Sequence, residues 1–250
     1  MELTVKNKKV VCACPIEYNY SIFNFLGKRV MQNTIKESLL QIQEDIAPYK
    51  PNIIAVTKYF DENAIILAYN AGFRDFAESR VIEAIEKINK LPKEIRENSK
   101  FHFIGHLQSN KVKKVVGNFD IIHSVDSIKI AQVISEESQK IGKIQNIFIE
   151  VNFADEEQKF GFSKSSLFEN FDLIKQLSNI NILGLMSMAP LGESEDNLEI
   201  LYKDVFSAKS ELEKMFNCKL PELSMGMSQD YKIAARCGAT MLRIGRKLFK

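Results

Sequence analysis

No stretch of this chain approaches the roughly 18 uninterrupted apolar residues that a helix needs to cross a bilayer, so no membrane span is expected. Cysteine is scarce. Cys12, Cys14, Cys218 and Cys237 are all there is, and the lone CxC has no second pair at zinc-like spacing. Such thiols fit a reducing cytoplasm better than a disulfide framework or a metal centre. An excess of charge is missing too: 34 Lys and Arg against 32 Asp and Glu leave a net charge of +2. With no run that interleaves basic and aromatic residues, nothing points to nucleic acid. Lys6, Lys8 and Lys9 precede the apolar run Val10–Ile16, but Glu17, Tyr18 and Asn19 cut that run too early for a signal peptide, and a cytoplasmic protein is expected. There is no GxSxG, no P-loop and no GxGxxG after a strand. No Pro/Gly linker and no low-complexity tract divides the chain. Residues 1–250 are therefore read as a single domain, in which 1–30 form an N-terminal extension with no assigned element.

What is present is an alternation. With 45% hydrophobic and 26% charged residues the composition is that of a globular protein with a sizeable core. From residue 50 onward, short apolar, β-branched runs alternate with longer amphipathic ones. Strands are predicted at Asn52–Tyr59, Asp75–Ala77, Phe101–Gly105, Ile121–Val125, Asn146–Asn152, Ile182–Met188, Glu222–Met225 and Thr240–Ile244. The early ones are nearly continuously apolar, as parallel strands covered on both faces are. Asp61, then Asp126 or Ser127, and then Ser228 are candidate caps of the intervening helices, which Gly72, Gly142 and Gly238 would stop. Eight strands alternating with helices predict an α/β fold, a single (β/α)8 TIM barrel, with an open doubly wound sheet as the alternative. Ile35, Leu39, Ile42 and Ile46 mark one face of an extra N-terminal helix, expected across the barrel bottom.

Three places carry chemistry on this reading. Lys58 ends the first strand run, and in this fold the active site lies at the carboxyl ends of the strands. Apolar neighbours there would desolvate its amine and free it as a nucleophile toward an aldehyde. The stretch Leu223–Asp230 leaves the seventh strand with Gly226 between Met225 and Met227, and with hydroxyls from Ser224 and Ser228. Arg243-Ile244-Gly245-Arg246 ends the eighth strand. Both loops let backbone come close to an anion, where phosphate sites in this fold recur. His102, His106 and His123 permit a three-histidine metal site, but two of them sit on strands and no helical pair is formed, so none is assigned. Asn152 is expected at the top of the fifth strand, facing the mouth.

These segments together resemble one family. Ala55-Val56-Thr57-Lys58, Phe76–Val81, His102–Lys111, Gly184–Met188 and Leu223–Asp230 through Arg243-Ile244-Gly245 are similar to the pyridoxal phosphate homeostasis proteins, which are in turn similar to the N-terminal barrel of alanine racemase. The resemblance spans roughly residues 31–250. It implies that pyridoxal 5′-phosphate (PLP) is held as a Schiff base on Lys58. It implies that the Ser224–Met227 loop (Ser224, Met225, Gly226, Met227) and the amides of Gly245 and Arg246 hold the phosphate, and that Arg243 lies near the pyridine nitrogen. A permanently protonated arginine there would leave that nitrogen unprotonated and weaken the ring as an electron sink. The implied function is PLP binding for vitamin B6 and amino-acid homeostasis, without robust turnover, in a monomer whose partners would be PLP-dependent apo-enzymes. The alternative is a racemase-like enzyme, for which His106 is the candidate second acid/base. A Schiff-base aldolase without PLP is a third reading. The sequence departs from the family at Ser79, where Asn is common, at Lys250, where Gly is common, and at Tyr59-Phe60-Asp61, where a Lys-Pro-like pair is usual.

Overall fold

The computed structural model describes residues 16–154 and 160–249, with side chains from residue 31 onward in those ranges. Cys12, Cys14 and the segment around Lys159 lie outside them. Eight strands are present: β1 (Asn52–Val56), β2 (Asp75–Glu78), β3 (Lys100–Phe103), β4 (Ile121–Val125), β5 (Gln145–Val151), β6 (Ile180–Ser187), β7 (Glu222–Met227) and β8 (Met241–Ile244). They close in chain order into one parallel barrel, with β8 pairing back onto β1. The helices are α1 (Ile16–Asp45), α2 (Glu62–Asn70), α3 (Val81–Lys90), α4 (Lys93–Glu97), α5 (Val112–Asn118), α6 (Ile128–Lys140), α7 (Lys164–Lys175), α8 (Glu195–Met215) and α9 (Tyr231–Arg236).

Side chains of a strand alternate between the two faces of the sheet, and the core divides accordingly. Ile54, Val56, Ala77, Ile121, Phe148, Met186 and Met241 form one apolar cluster, inside the barrel. Their neighbours in sequence, among them Ala55, Phe76, Ile122, Ile149 and Leu242, belong to a larger cluster shared with the helices. Each fully buried Ile, Leu or Phe contributes about 1.5–3 kcal/mol. The same parity puts Asp75, His102, His123, Glu150, Ser224 and Arg243 inside, and sends Thr57 and Glu78 outward. The barrel interior is thus apolar in part and polar in part, and that polar part positions the site.

Local chemistry explains the element ends. Asp61 accepts from Asn63 N at 3.1 Å and starts α2. Ser127, rather than Asp126, caps α6 by accepting from Ile130 N at 3.4 Å. Ser228 is not the cap of α9; Asp230 holds that position. β1 stops at Val56, two residues short of Lys58, although Thr57 N still donates to Ala77 O at 3.0 Å. Gly105 is needed where β3 ends, because a Cβ there would stand 2.2 Å from Ser79 O.

Helix α1 begins well before Ile35 and runs through part of the stretch to which the sequence assigned no element. Ile35, Ile42 and Ile46 are buried as its spacing predicted. It packs along α2, where Gln32 Nε2 donates to Asn70 O at 3.3 Å. Leu39 and Gln43 border a cleft at the amino ends of β1 and β2, so the helix meets the barrel bottom at that edge. At its last residue, Asp45 pairs with Lys232 at 3.0 Å and Lys247 at 3.4 Å and accepts from the Tyr231 hydroxyl. Those partners hold the Asp45 carboxyl well below the usual carboxylate range, Tyr231 foremost.

Candidate functional site

Lys58 follows β1 with the parity of Ile54 and Val56 and stands half-buried at the carboxyl end of the barrel. Its Nζ lies 5.2 Å from the ring centroid of exposed Tyr59, and it makes no hydrogen bond or ion pair with a described residue. Behind the wall, Lys87 of α3 donates to Thr57 O at 2.9 Å and to Glu78 Oε1 at 2.6 Å, and Thr57 Oγ1 donates to the same carboxylate oxygen at 2.6 Å. This buried trio fixes the peptide that leads into Lys58.

Arg243 is buried inside the barrel. One guanidinium nitrogen donates to Ser224 O at 2.6 Å and Ser224 Oγ at 2.7 Å, and the other to Ser187 O at 2.8 Å. Burial draws its pKa below the ordinary value, against the field of Tyr202, Asp230 and Glu150. Glu150 of β5, beside it, is nearly fully buried, and its carboxyl makes no hydrogen bond with a described residue. Burial and the charge of Asp126 push its carboxyl up to about 7, with Arg243 opposing. Asp126 itself holds His106 Nδ1 at 3.1 Å, and Phe160 stacks on that imidazole with centroids 3.6 Å apart. Asn152 follows β5 half-buried, as expected for the mouth.

The two glycine loops come together as expected, but their parts are used differently. Gly226 has φ +88°, and a Cβ there would lie 2.5 Å from Ala234 Cβ, so only glycine fits. Met225 is buried in the outer core, and Ser224 points inward to Arg243. Met227 N already donates to Asp230 Oδ1 at 2.5 Å. The amides of Gly245 and Lys247 instead converge on Ser228 Oγ, at 3.4 Å each. Two N–H groups aimed at one oxygen form an anion-binding concavity. Arg246 is exposed and borders a cleft of about 500 Å³ with Gln229, Asp230 and Pro190. A larger cavity of about 1030 Å³, between Phe153 and α8, shares Pro190 with that cleft but is lined by neither Lys58, Arg243 nor the two glycines.

The histidines do not gather as metal ligands. His102 and His123 are hydrogen-bonded to each other at 2.9 Å, while His106 is committed to Asp126. Among the described residues no group of three or more His, Cys, Asp or Glu side chains is arranged to hold a metal, and no helix is long and apolar enough to cross a membrane. Sequence reasoning missed Glu150, the trio of Thr57, Glu78 and Lys87, and the role of Asp75. Glu150 left a signal: it is a lone carboxylate in Ile147-Phe148-Ile149-Glu150-Val151, on the parity of the interior.

Residues 30–250 match the family model described as alanine racemase, N-terminal domain. A pyridoxal phosphate homeostasis protein of Synechocystis is 38% identical over 208 residues, covering 82% of this chain and 94% of that protein. One of Aquifex aeolicus is 36% identical, covering 79% and 85%. The structure of PipY from Synechococcus elongatus, solved with PLP bound, superposes with a TM-score of 0.79 at 35% identity, covering 86% of this chain and all of that one. Alanine racemase of Clostridium difficile, at 17% identity and a TM-score of 0.69, covers 86% of this chain and 56% of its own, and shares the fold.

Proposed function

The chain belongs to the pyridoxal phosphate homeostasis protein family, and we propose that it binds PLP in the barrel mouth as a Schiff base on Lys58. One observation carries this reading. Lys58 presents an amine with no hydrogen-bond or ion-pair partner among the described residues at the carboxyl end of β1, inside a barrel whose other strand ends bring Arg243 and two glycine loops to the same end. Its Nζ would replace the aldehyde oxygen, which leaves as water. Gly226 and Gly245 would admit the phosphate, with the Ser224–Met227 loop as its wall and the Gly245 and Arg246 amides as donors. The concavity of the Gly245 and Lys247 amides, now filled by Ser228 Oγ, supports the Gly245 donor. Arg243 would face the ring nitrogen and, remaining a cation, disfavour its protonation. Bound PLP supplies a reactive aldehyde and a conjugated ring; this chain's residues hold it and shield it from water.

Carriage rather than turnover is the leading function, in a single domain that acts as a monomer in the cytoplasm and passes PLP to apo-enzymes. A racemase-like activity is the second reading, favoured by Glu150, a carboxyl poised near neutrality at the mouth. Titrating the protein with PLP, and comparing Lys58→Ala, tests the binding. A visible Schiff-base band in the parent that is lost in the variant supports it. Racemisation of alanine by the loaded protein, above the Lys58→Ala background, would replace carriage with catalysis.

A further inference from the structure

We propose that Asp75, His102 and His123 are positioning residues, which set the hydrogen-bonding state of Ser224 and Arg243 from the opposite end of the barrel. The inference rests on the reading above, in which Arg243 faces the cofactor ring. Its basis is a continuous chain across five strands. Asp75 Oδ1 lies 2.9 Å from His102 Nε2, His102 Nδ1 lies 2.9 Å from His123 Nε2, and His123 Nδ1 lies 2.8 Å from Ser224 Oγ. Arg243 closes it at 2.7 Å from that same hydroxyl. His102, His123 and Ser224 are buried, and Phe148 stacks on His123 with centroids 4.4 Å apart. The Asp75 end meets a surface cleft, next to Asn52 and Arg74.

Counting donors and acceptors gives the chain one direction. Arg243 can only donate, so Ser224 Oγ accepts from it. Burial, the charge of His102 and that of Arg243 push the His123 pKa well below its ordinary value, so this ring is neutral. Burial raises the Asp75 carboxyl, but His102, Asn52 and Lys100 outweigh that and keep it low, so it accepts. With His102 neutral as well, every atom is satisfied in a single arrangement. The Ser224 hydroxyl donates to His123 Nδ1, His123 Nε2–H donates to His102 Nδ1, and His102 Nε2–H donates to Asp75.

A state with one proton more, in which His102 carries hydrogen on both ring nitrogens and the hydrogen of His123 sits on Nδ1 instead of Nε2, reverses this order. His102 Nδ1–H then donates to His123, His123 Nδ1–H donates to Ser224, and the serine hydrogen must turn away from His123. The state of the buried floor is thereby reported at the hydroxyl that Arg243 holds. The other ionisable groups around the chain are Lys100 beside Asp75, and Glu150, Tyr202 and Asp230 around Arg243.

The test has two arms. Nitrogen-15 NMR of the imidazoles, in protein without PLP, should show His102 and His123 as Nε2–H tautomers near pH 7.5. A His123 protonated on Nδ1 at that pH would overturn the chain whether or not PLP binds. With PLP added, the Schiff-base band is titrated in the parent, Asp75→Asn and His123→Phe. Both variants should still load Lys58, and their spectral pKa should move by about half a unit or more. Asp75→Asn, isosteric and at the partly open end, keeps the test valid if His123→Phe does not fold. Titrations that superimpose on the parent would refute the positioning role, whereas a parent that never loads Lys58 would refute the cofactor reading instead.

Discussion

Lys87 grips the carbonyl oxygen of Thr57 from behind the barrel wall, 2.9 Å away, one residue before the amine on which the site depends. The same ammonium sits 2.6 Å from Glu78, and both charged side chains are buried. Removing one partner of a buried pair leaves the other charge uncompensated, which typically costs about 3–5 kcal/mol. Lys87→Met should therefore lower stability on that scale in urea unfolding. Lys87→Met combined with Glu78→Gln should recover part of the loss, since no charge is then stranded. Equal stability of the single and double variants would contradict this account.

Glu150 makes stability depend on pH in an unusual sense for a carboxylate. Its folded value of about 7 lies above the ordinary 4.5, so the native state keeps the proton that the unfolded chain releases. Its contribution is favourable below about 4.5, declines as pH rises through 7 and is level beyond, by an amount on the order of 3 kcal/mol. Glu150→Gln does not titrate. The stability difference between variant and parent, measured by urea unfolding from pH 4.5 to 8.5, should move in favour of the variant up to about pH 7 and then flatten.

Gly226 lies within β7, one residue before its end, in a conformation that side chains rarely adopt. Gly226→Ala would add a Cβ 2.5 Å from Ala234 Cβ and 2.9 Å from Leu242 Cδ2, at φ +88°. Backbone strain and overpacking together predict a loss of about 2–4 kcal/mol. A lowered thermal midpoint with weakened PLP capture is the expected result.

Arg243 spreads its two nitrogens to Ser224 on one side and Ser187 on the other. A lysine offers a single nitrogen and cannot span both, so Arg243→Lys leaves a buried carbonyl without its donor. The expected cost is about 2 kcal/mol in unfolding experiments, with a displaced spectral pKa for bound PLP. An unchanged titration would mean that the guanidinium does not act on the ring.

The barrel was legible because its strands are apolar, β-branched runs between glycine-stopped helices, and Lys58 stood out by ending the first of them. Thr57-Lys58-Tyr59 looked like more strand, yet β1 closes at Val56 and the chain turns toward the mouth. The interior network was not legible, because its links join distant positions: Asp75 to His102 across 27 residues, and His123 to Ser224 across 101. No local spacing marks such pairs; barrel closure creates them. His102 and His123 therefore read as possible ligands when the fold makes them hydrogen-bond partners of each other, and gives His106 to Asp126. Ser228 read as a helix cap for a similar reason, since its actual partners, Gly245 and Lys247, arrive only when β8 is laid beside β7.

The central claim, that Lys58 is the anchor, is tested most directly by borohydride reduction of the PLP-treated protein followed by peptide mapping by mass spectrometry. The account predicts one dominant pyridoxyl adduct, on the peptide carrying Lys58. Label spread over surface lysines, or none at all, would contradict it.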